Sequence, residues 1–123
     1  MKLAKIVDPV FIKAINKLNM QELSLKTAFK LKGIIIKTDE ERQKYNDVRQ
    51  AAFDKYGEKD DNGGIKIDNN GQVVMSKEST AAFISEINDL LSMEIDIPTL
   101  SVSELGNVTM SSNELFILDF LVE

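Results

Sequence analysis

The feature that most constrains the fold is a long, interrupted apolar stripe over residues 24–56. Apolar residues recur there at helical spacing, at positions 25, 28, 29, 31 and 35 and again at 45, 48, 52 and 56. The segment between the two groups is almost wholly polar, but it is rich in residues that favour helix. The pattern predicts one helix of roughly 50 Å, capped by Ser24, or two helices with a break near Thr38 and Asp39.

Other helices are indicated by their caps. Asp8 followed by Pro9 is typical of a helix start, and Ser76 precedes a clear amphipathic pattern over residues 83–91. Ser111 and Glu114 form a capping box in front of the run "ELFILDFLV". Because this run is apolar nearly all round, the helix is expected to be buried in the domain or at an interface.

Two strand pairs are predicted. The turn residues Asn70 and Gly71 separate alternating segments at residues 65–68 and 72–75, which is the pattern of a β-hairpin. Residues 94–97 alternate in the same way and are expected to pair with residues 107–110. No internal repeat is recognised. The predicted class is therefore α+β and mainly helical: a long N-terminal helix or helical hairpin, a β-hairpin, and a short C-terminal strand pair with a buried C-terminal helix.

Composition narrows the possible chemistry. The chain has 123 residues, which suits a single domain over residues 1–123, and it contains neither cysteine nor histidine. Disulfides, thiolate or imidazole metal ligands and histidine-based catalysis are thereby excluded. The longest apolar run, "GIIIK", is far too short to cross a membrane. We expect no enzyme activity and no cofactor.

Charge is unevenly distributed along the chain. Residues 1–56 form a basic helical half with net charge +5, and residues 57–123 form an acidic α+β half with net charge −10. Such asymmetry is found in nucleic-acid-binding proteins. Here, however, the basic residues are mostly lysines at helical spacing with few interleaved aromatics, which favours a solvated helix face matched to the acidic half of a neighbour.

The stretch "EKDDNGGIKIDNNG" partly matches a calcium loop. Glu58, Asp60 and Asn62 occupy the first three ligand positions, and a glycine follows at the sixth. Position 12 is Asn69, which cannot supply the bidentate carboxylate that the motif requires. A turn and a strand follow where a helix is needed, so the hairpin is the favoured interpretation.

Residues 40–123 resemble a family of small uncharacterised proteins encoded by phages and prophages of low-GC Gram-positive bacteria. The shared pattern begins with "KYGEKDDNGG" and ends with spaced positions Leu100, Leu105, Val108, Ser111, Glu114, Leu115, Leu118, Phe120, Leu121 and Glu123. These are turn, cap and core positions, so the resemblance carries no catalytic residue. It implies a phage accessory protein in the cytoplasm of an infected bacterium or in the virion.

The leading hypothesis is a non-enzymatic accessory protein that contacts a phage structural protein, a host protein or itself. The alternative is an inhibitor of a bacterial defence system whose acidic surface occupies a basic nucleic-acid channel. The third hypothesis, ranked only above an enzyme, is nucleic-acid binding through Lys13, Lys17, Lys26, Lys30, Lys32 and Lys37.

The predicted interaction residues form two sets. The apolar set lies in the C-terminal run and comprises Leu115, Phe116, Leu118, Phe120 and Leu121. The acidic set comprises Asp60, Asp61, Asp68, Glu86, Asp89, Glu94 and Asp96.

Overall fold

The chain is mainly helical in the computed structural model, which describes residues 1–122. In chain order the elements are α1 (Leu3–Ile6), α2 (Pro9–Asn19), α3 (Leu25–Tyr56), α4 (Lys77–Leu91), β1 (Leu100–Ser101), a 3₁₀ turn (Val102–Leu105), α5 (Ser112–Ile117) and β2 (Leu121–Val122). The predicted α+β, mainly helical class is confirmed. Glu123, the last position of the family pattern, lies outside the described residues.

The predicted helix caps are confirmed. The Asp8 side chain accepts a hydrogen bond from the Val10 N–H at the start of α2, with Pro9 in the first turn. The Ser76 hydroxyl caps α4 in the same way. Ser111 and Glu114 form the reciprocal capping box of α5, so each of these helix starts satisfies backbone donors that the helix itself cannot.

Helix α3 is continuous, which decides between the two alternatives that the sequence left open. Its polar middle is partly buried: Thr38 and Glu41 are 1% and 6% exposed. Both side chains have partners on the same helix, since the Thr38 hydroxyl donates to the Ile35 carbonyl and Lys37 lies 2.9 Å from the Glu41 carboxylate. Hydrogen bonding within α3 therefore allows polar residues to continue the buried face.

The chain divides into two compact units, and the boundary does not coincide with the charge change near residue 57. Unit 1 contains residues 1–42 together with residues from 93 onward, and unit 2 contains residues 43–92. Residues of α3 contribute to both units.

The core of unit 1 combines residues from the two ends of the sequence. It comprises Phe11, Ala14, Ile15, Leu18, Leu31, Ile34, Leu100, Leu105, Leu118 and Phe120. The Phe11 and Phe120 rings pack edge to face, with centroids 6.3 Å apart. Strands β1 and β2 pair in parallel, with Leu100 opposite Leu121, and hold the C-terminal segment over this core.

The predicted pairing of residues 94–97 with 107–110 is wrong. Glu94 instead forms an antiparallel bridge with Lys2, and residues 107–110 are not a strand. The Gln21 side chain explains the second point, because it bonds both backbone groups of Thr109, accepting from its N–H at 3.0 Å and donating to its carbonyl at 3.2 Å. These backbone groups no longer need a neighbouring strand.

The C-terminal helix is shorter than the apolar run suggested. Helix α5 ends at Ile117, and Leu118 leaves the helical conformation with φ −83° and ψ 85°. This break lets Leu118 and Phe120, two positions apart, both enter the core at 2% exposure. Alternation, rather than helical spacing, therefore buries this part of the run.

Unit 2 contains the C-terminal part of α3, an irregular segment with two turns, and α4. The predicted hairpin between residues 65–68 and 72–75 is present only as one antiparallel bridge, Ile67 with Val73. A second antiparallel bridge, Lys59 with Ile65, precedes it and was not predicted. Phe53 stacks on Phe83 with ring centroids 4.8 Å apart. None of the helices in residues 1–122 has both the length and the apolar character needed to cross a membrane.

Candidate functional site

The calcium-loop candidate forms a closed turn. The Asp60 Oδ1 atom accepts hydrogen bonds from the Asn62 and Gly64 N–H groups, both at 2.9 Å. The Asp60 N–H donates to the Gly64 carbonyl, and Gly63 adopts the left-handed region with φ 80°. One carboxylate oxygen thus organises the turn backbone. Within residues 1–122, no three acidic, histidine or cysteine side chains are grouped so that they could hold a metal ion.

The same turn occurs a second time, eight residues later. Asp68 Oδ1 accepts from the N–H groups of Asn70 at 2.8 Å and Gln72 at 3.0 Å, and Gly71 has φ 76°. The sequence signal is Asp-x-Asn-Gly at 60–63 and again at 68–71. The conclusion that the chain has no internal repeat was therefore wrong, because this eight-residue spacing was not recognised.

The repeat closes a ring of backbone hydrogen bonds. The Glu58 N–H donates to the Val74 carbonyl, the Val74 N–H to the Lys66 carbonyl, and the Lys66 N–H to the Glu58 carbonyl, at 2.8–2.9 Å. Glu58, the first calcium-ligand candidate, thus contributes its backbone to the scaffold of unit 2. The ring fixes the positions of both turns relative to each other within this unit.

Three of the six predicted nucleic-acid-binding lysines have carboxylate partners within unit 1. The pairs are Lys17 with Glu114 at 2.8 Å, Lys30 with Glu104 at 2.9 Å and Lys37 with Glu41 at 2.9 Å. The Lys17 ammonium, followed by the Ser111 backbone N–H, lowers the pKa of the Glu114 carboxyl to about 2. Hydrogen bonding to Lys30 likewise lowers the pKa of Glu104. These lysines already interact with acidic groups, which weakens the argument for a phosphate-binding face.

The predicted acidic set is divided between the units and is partly engaged. Residues 60–89 of the set lie in unit 2, whereas Glu94 and Asp96 lie in unit 1. Asp60 and Asp68 organise the turns, and Glu86 pairs with Lys55 at 3.5 Å. Glu94 lies 3.3 Å from the amino group of Met1. The remaining members, Asp61, Asp89 and Asp96, are exposed.

The predicted apolar set has mixed exposure. Leu118 and Phe120 belong to the unit 1 core, and Leu115 and Leu121 pack partly buried against it. Phe116 is 86% exposed. Of this set, Phe116 is the well-exposed member available for contact.

An exposed apolar face on α3 was not singled out from the sequence. Leu25 and Phe29 are 90% and 83% exposed, and Ile36 is 50% exposed. Between them, a Cβ added at Gly33 would meet no atom within 4 Å. We call Leu25, Phe29 and Ile36 the α3 apolar face. The stripe was visible in the sequence, but spacing alone did not distinguish its buried side, at Leu31 and Ile34, from its exposed side.

The geometry therefore offers a turn scaffold and exposed apolar side chains, with no assembled catalytic group. Comparison of the chain with protein-family models, with curated proteins and with solved structures gives no match.

Proposed function

We propose that this chain is a non-enzymatic phage accessory protein that acts by binding another protein, in the cytoplasm of an infected bacterium or in the virion. The phage context rests on the resemblance of residues 40–123 to phage and prophage proteins. The protein-binding role rests on one observation, the α3 apolar face. Leu25 and Phe29 lie on the exposed side of the first turns of α3, whose opposite side is buried in unit 1 at Leu31 and Ile34.

The arrangement of these side chains supports a contact surface. Isolated exposed apolar residues are normal in proteins, whereas contiguous ones mark binding sites. Leu25, Phe29 and Ile36 follow one another along a single side of α3, and the open backbone at Gly33 lets a partner approach closely. Burying a leucine or phenylalanine side chain contributes about 1.5–3 kcal/mol. Covering Leu25 and Phe29 would therefore contribute roughly 3–6 kcal/mol of binding free energy.

The spacing indicates a helical partner. Positions 25, 29, 32 and 36 alternate steps of four and three residues, which is the spacing at which two helices pack side by side. Lys32 is exposed within this row, so an acidic residue on the partner's apolar stripe would be favoured at that point. The proposed partner is thus an amphipathic helix with an apolar stripe and a carboxylate near its centre.

The test is affinity capture with the full chain as bait, from bacteria infected by a phage that encodes it, followed by quantitative mass spectrometry. The double variant Leu25→Lys and Phe29→Lys should lose the captured partner by at least about tenfold, since the lost burial is worth several kcal/mol. Met20→Lys is the matched control, because Met20 is 85% exposed in unit 1 but lies outside α3.

A second measurement covers self-association. If the partner is another copy of the chain, light scattering coupled to size exclusion should give an oligomer mass for the wild type and a monomer mass for the double variant. The proposal is overturned if no protein is captured and the wild-type chain is a monomer at high concentration. A partner that binds the double variant as well as the wild type would exclude the α3 apolar face.

A further inference from the structure

Unit 2 has an unusually open interior. None of residues 43–92 is fully buried, although the unit contains two phenylalanines and several aliphatic side chains. Phe53 and Phe83 stack on each other yet remain only half-buried. Ile67 and Ile84 are 52% and 51% exposed. A stable domain normally closes such groups away from water, so unit 2 has apolar surface that a ligand can cover.

These side chains line one groove. It has a volume of about 910 Å³ and lies entirely within unit 2. Its apolar lining includes Phe53, Ile65, Ile67, Val73, Phe83 and Ile84. The hydrogen-bonded ring described above holds the turn segment that forms one wall. The groove therefore combines apolar and polar lining residues and has the size at which ligands bind.

The groove lining contains one cationic side chain, that of Arg49. The Arg49 guanidinium carbon lies 4.6 Å from the centre of the Phe53 ring. Within residues 1–122, no hydrogen bond or ion pair engages the Arg49 side chain. The lining also includes the carboxylate of Asp68, but its Oδ1 atom accepts two backbone N–H groups of its own turn. Stacking on Phe53 holds the Arg49 fork in place while leaving its donors free.

We propose that this groove binds a peptide segment of a partner protein in which an apolar side chain and a carboxylate lie within a few residues of each other. The apolar side chain would cover the stacked Phe53 and Phe83 rings. The carboxylate would pair with Arg49, whose planar fork matches it with two hydrogen bonds. This inference rests on the proposed protein-binding function and adds a second surface with its own chemistry.

Recognition by Arg49 would act at short range. Unit 2 carries a net charge of −3, so long-range attraction does not draw an acidic peptide towards it. The pairing must instead come from direct contact, because the bound peptide would exclude water and a charge-assisted hydrogen bond is then stronger than in open water. Selectivity for a carboxylate is thus expected to depend on one residue.

The test uses the full chain and a phage-displayed library of random peptides of about twelve residues. Selected peptides should combine an aliphatic or aromatic residue with a nearby aspartate or glutamate. The most enriched peptide, synthesised with a fluorescent label, should bind Arg49→Gln about tenfold or more weakly than the wild type. Arg49→Lys should be intermediate, because it keeps the charge and loses the fork.

Lys77→Gln is the matched control. It removes the same charge from unit 2, at an exposed position on α4 that does not line the groove, and should change the affinity less than twofold. The double variant of Leu25 and Phe29 should bind the peptide as tightly as the wild type. A failure of the groove proposal, seen in peptide affinity, can therefore be distinguished from a failure of the α3 apolar face as a binding surface, seen in affinity capture.

Four outcomes would overturn the inference. One is the absence of enrichment above the starting library, and another is enrichment of peptides that lack a carboxylate. A third is equal affinity of the Arg49→Gln and Lys77→Gln variants. The fourth is Arg49-dependent binding of a different occupant, either a second copy of the chain in sedimentation or a labelled single-stranded oligonucleotide.

Discussion

Substituting Gly57 by alanine should destabilise unit 2, against the usual effect of this change. Removing a glycine generally stabilises a protein by about 0.4–1 kcal/mol, because the unfolded chain loses freedom. Gly57 has an ordinary backbone conformation, since it is not among the glycines with positive φ. The expected sign therefore depends on the space around its Cα.

That space is absent. A Cβ at Gly57 would lie 2.7 Å from the Phe53 carbonyl oxygen, 2.9 Å from Val73 Cγ1 and 3.2 Å from Ile65 Cγ2. The Val73 and Ile65 side chains could shift, but the Phe53 oxygen belongs to the last turn of α3 and accepts the Gly57 N–H at 2.8 Å. Forcing atoms into packed sites costs about 1–3 kcal/mol. This exceeds the gain from the unfolded state, so the net change is a loss of about 0.5–2 kcal/mol.

The two tyrosines make the measurement specific. Tyr45 and Tyr56 both lie in unit 2 and the chain has no tryptophan, so tyrosine fluorescence during urea denaturation follows this unit. Far-UV circular dichroism follows the helices of the whole chain. Gly57→Ala should lower the midpoint of the fluorescence transition, and a loss of 1 kcal/mol should lower the melting temperature by about 3–6 °C.

Gly33→Ala is the matched control. Gly33 lies in the interior of α3, and a Cβ there would meet no atom within 4 Å. The same substitution should therefore stabilise the protein by about 0.5–1 kcal/mol. A rise in the fluorescence midpoint on Gly57→Ala, similar to the stabilisation expected for Gly33→Ala, would contradict the close packing described around Gly57.

Three further predictions test the core, the turns and the acid response. Phe120→Ala should cost about 3–5 kcal/mol in urea denaturation followed by circular dichroism, whereas Phe116→Ala, at 86% exposure, should change stability by less than about 0.5 kcal/mol; similar losses would contradict the assigned core. Asp60→Ala and Asp68→Ala should each lower the free energy of unfolding of unit 2, followed by tyrosine fluorescence, by about 1–2 kcal/mol, because each removes two hydrogen bonds to the turn backbone. Asp61→Ala should leave this free energy unchanged. Because the pKa of Glu114 is lowered from 4.5 to about 2 in the fold, its ionised carboxylate stabilises the fold fully above pH 4.5 and progressively less as the pH falls towards 2. Glu114→Gln should therefore flatten the fall in melting temperature over that range, and a fall as steep as that of the wild-type chain would refute this.

Helices were predictable because their signals are local. Asp8, Ser76 and Ser111 each cap a helix through bonds to residues two or three positions away. Such caps depend on the neighbouring sequence alone. The continuity of α3 was less certain, because the burial of Thr38 and Glu41 depends on the rest of unit 1 and not on their own polarity.

Strand pairing was not predictable in the same way. Residues 94–97 alternate as a strand does, but the sequence does not show which segment pairs with them. The partner is Lys2, more than ninety positions away, and Thr109 is bonded by the Gln21 side chain. Pairing between distant segments depends on how the chain closes, which local propensity does not contain.

The candidate binding surfaces are defined by which apolar side chains are exposed, and the spacing of apolar residues in the sequence does not reveal this. The C-terminal run and the α3 stripe are both apolar. The structure buries Phe120 and leaves Phe29 83% exposed. The eight-residue repeat, in contrast, was present in the sequence at Asp60 and Asp68, and an Asp-x-Asn-Gly comparison would have found it.

The charge asymmetry has a structural explanation that does not require a partner. The two halves of the sequence differ sharply, at +5 and −10, yet regrouping the residues by unit gives −2 for unit 1 and −3 for unit 2. The difference nearly vanishes because unit 1 joins the basic beginning of the chain to its acidic end. Ion pairs mark that junction: Lys5 with Asp119, Lys17 with Glu114 and Lys30 with Glu104. Opposite charges at distant positions here indicate segments that pack together, and exposed apolar side chains are therefore better guides to binding in this chain than its charge distribution.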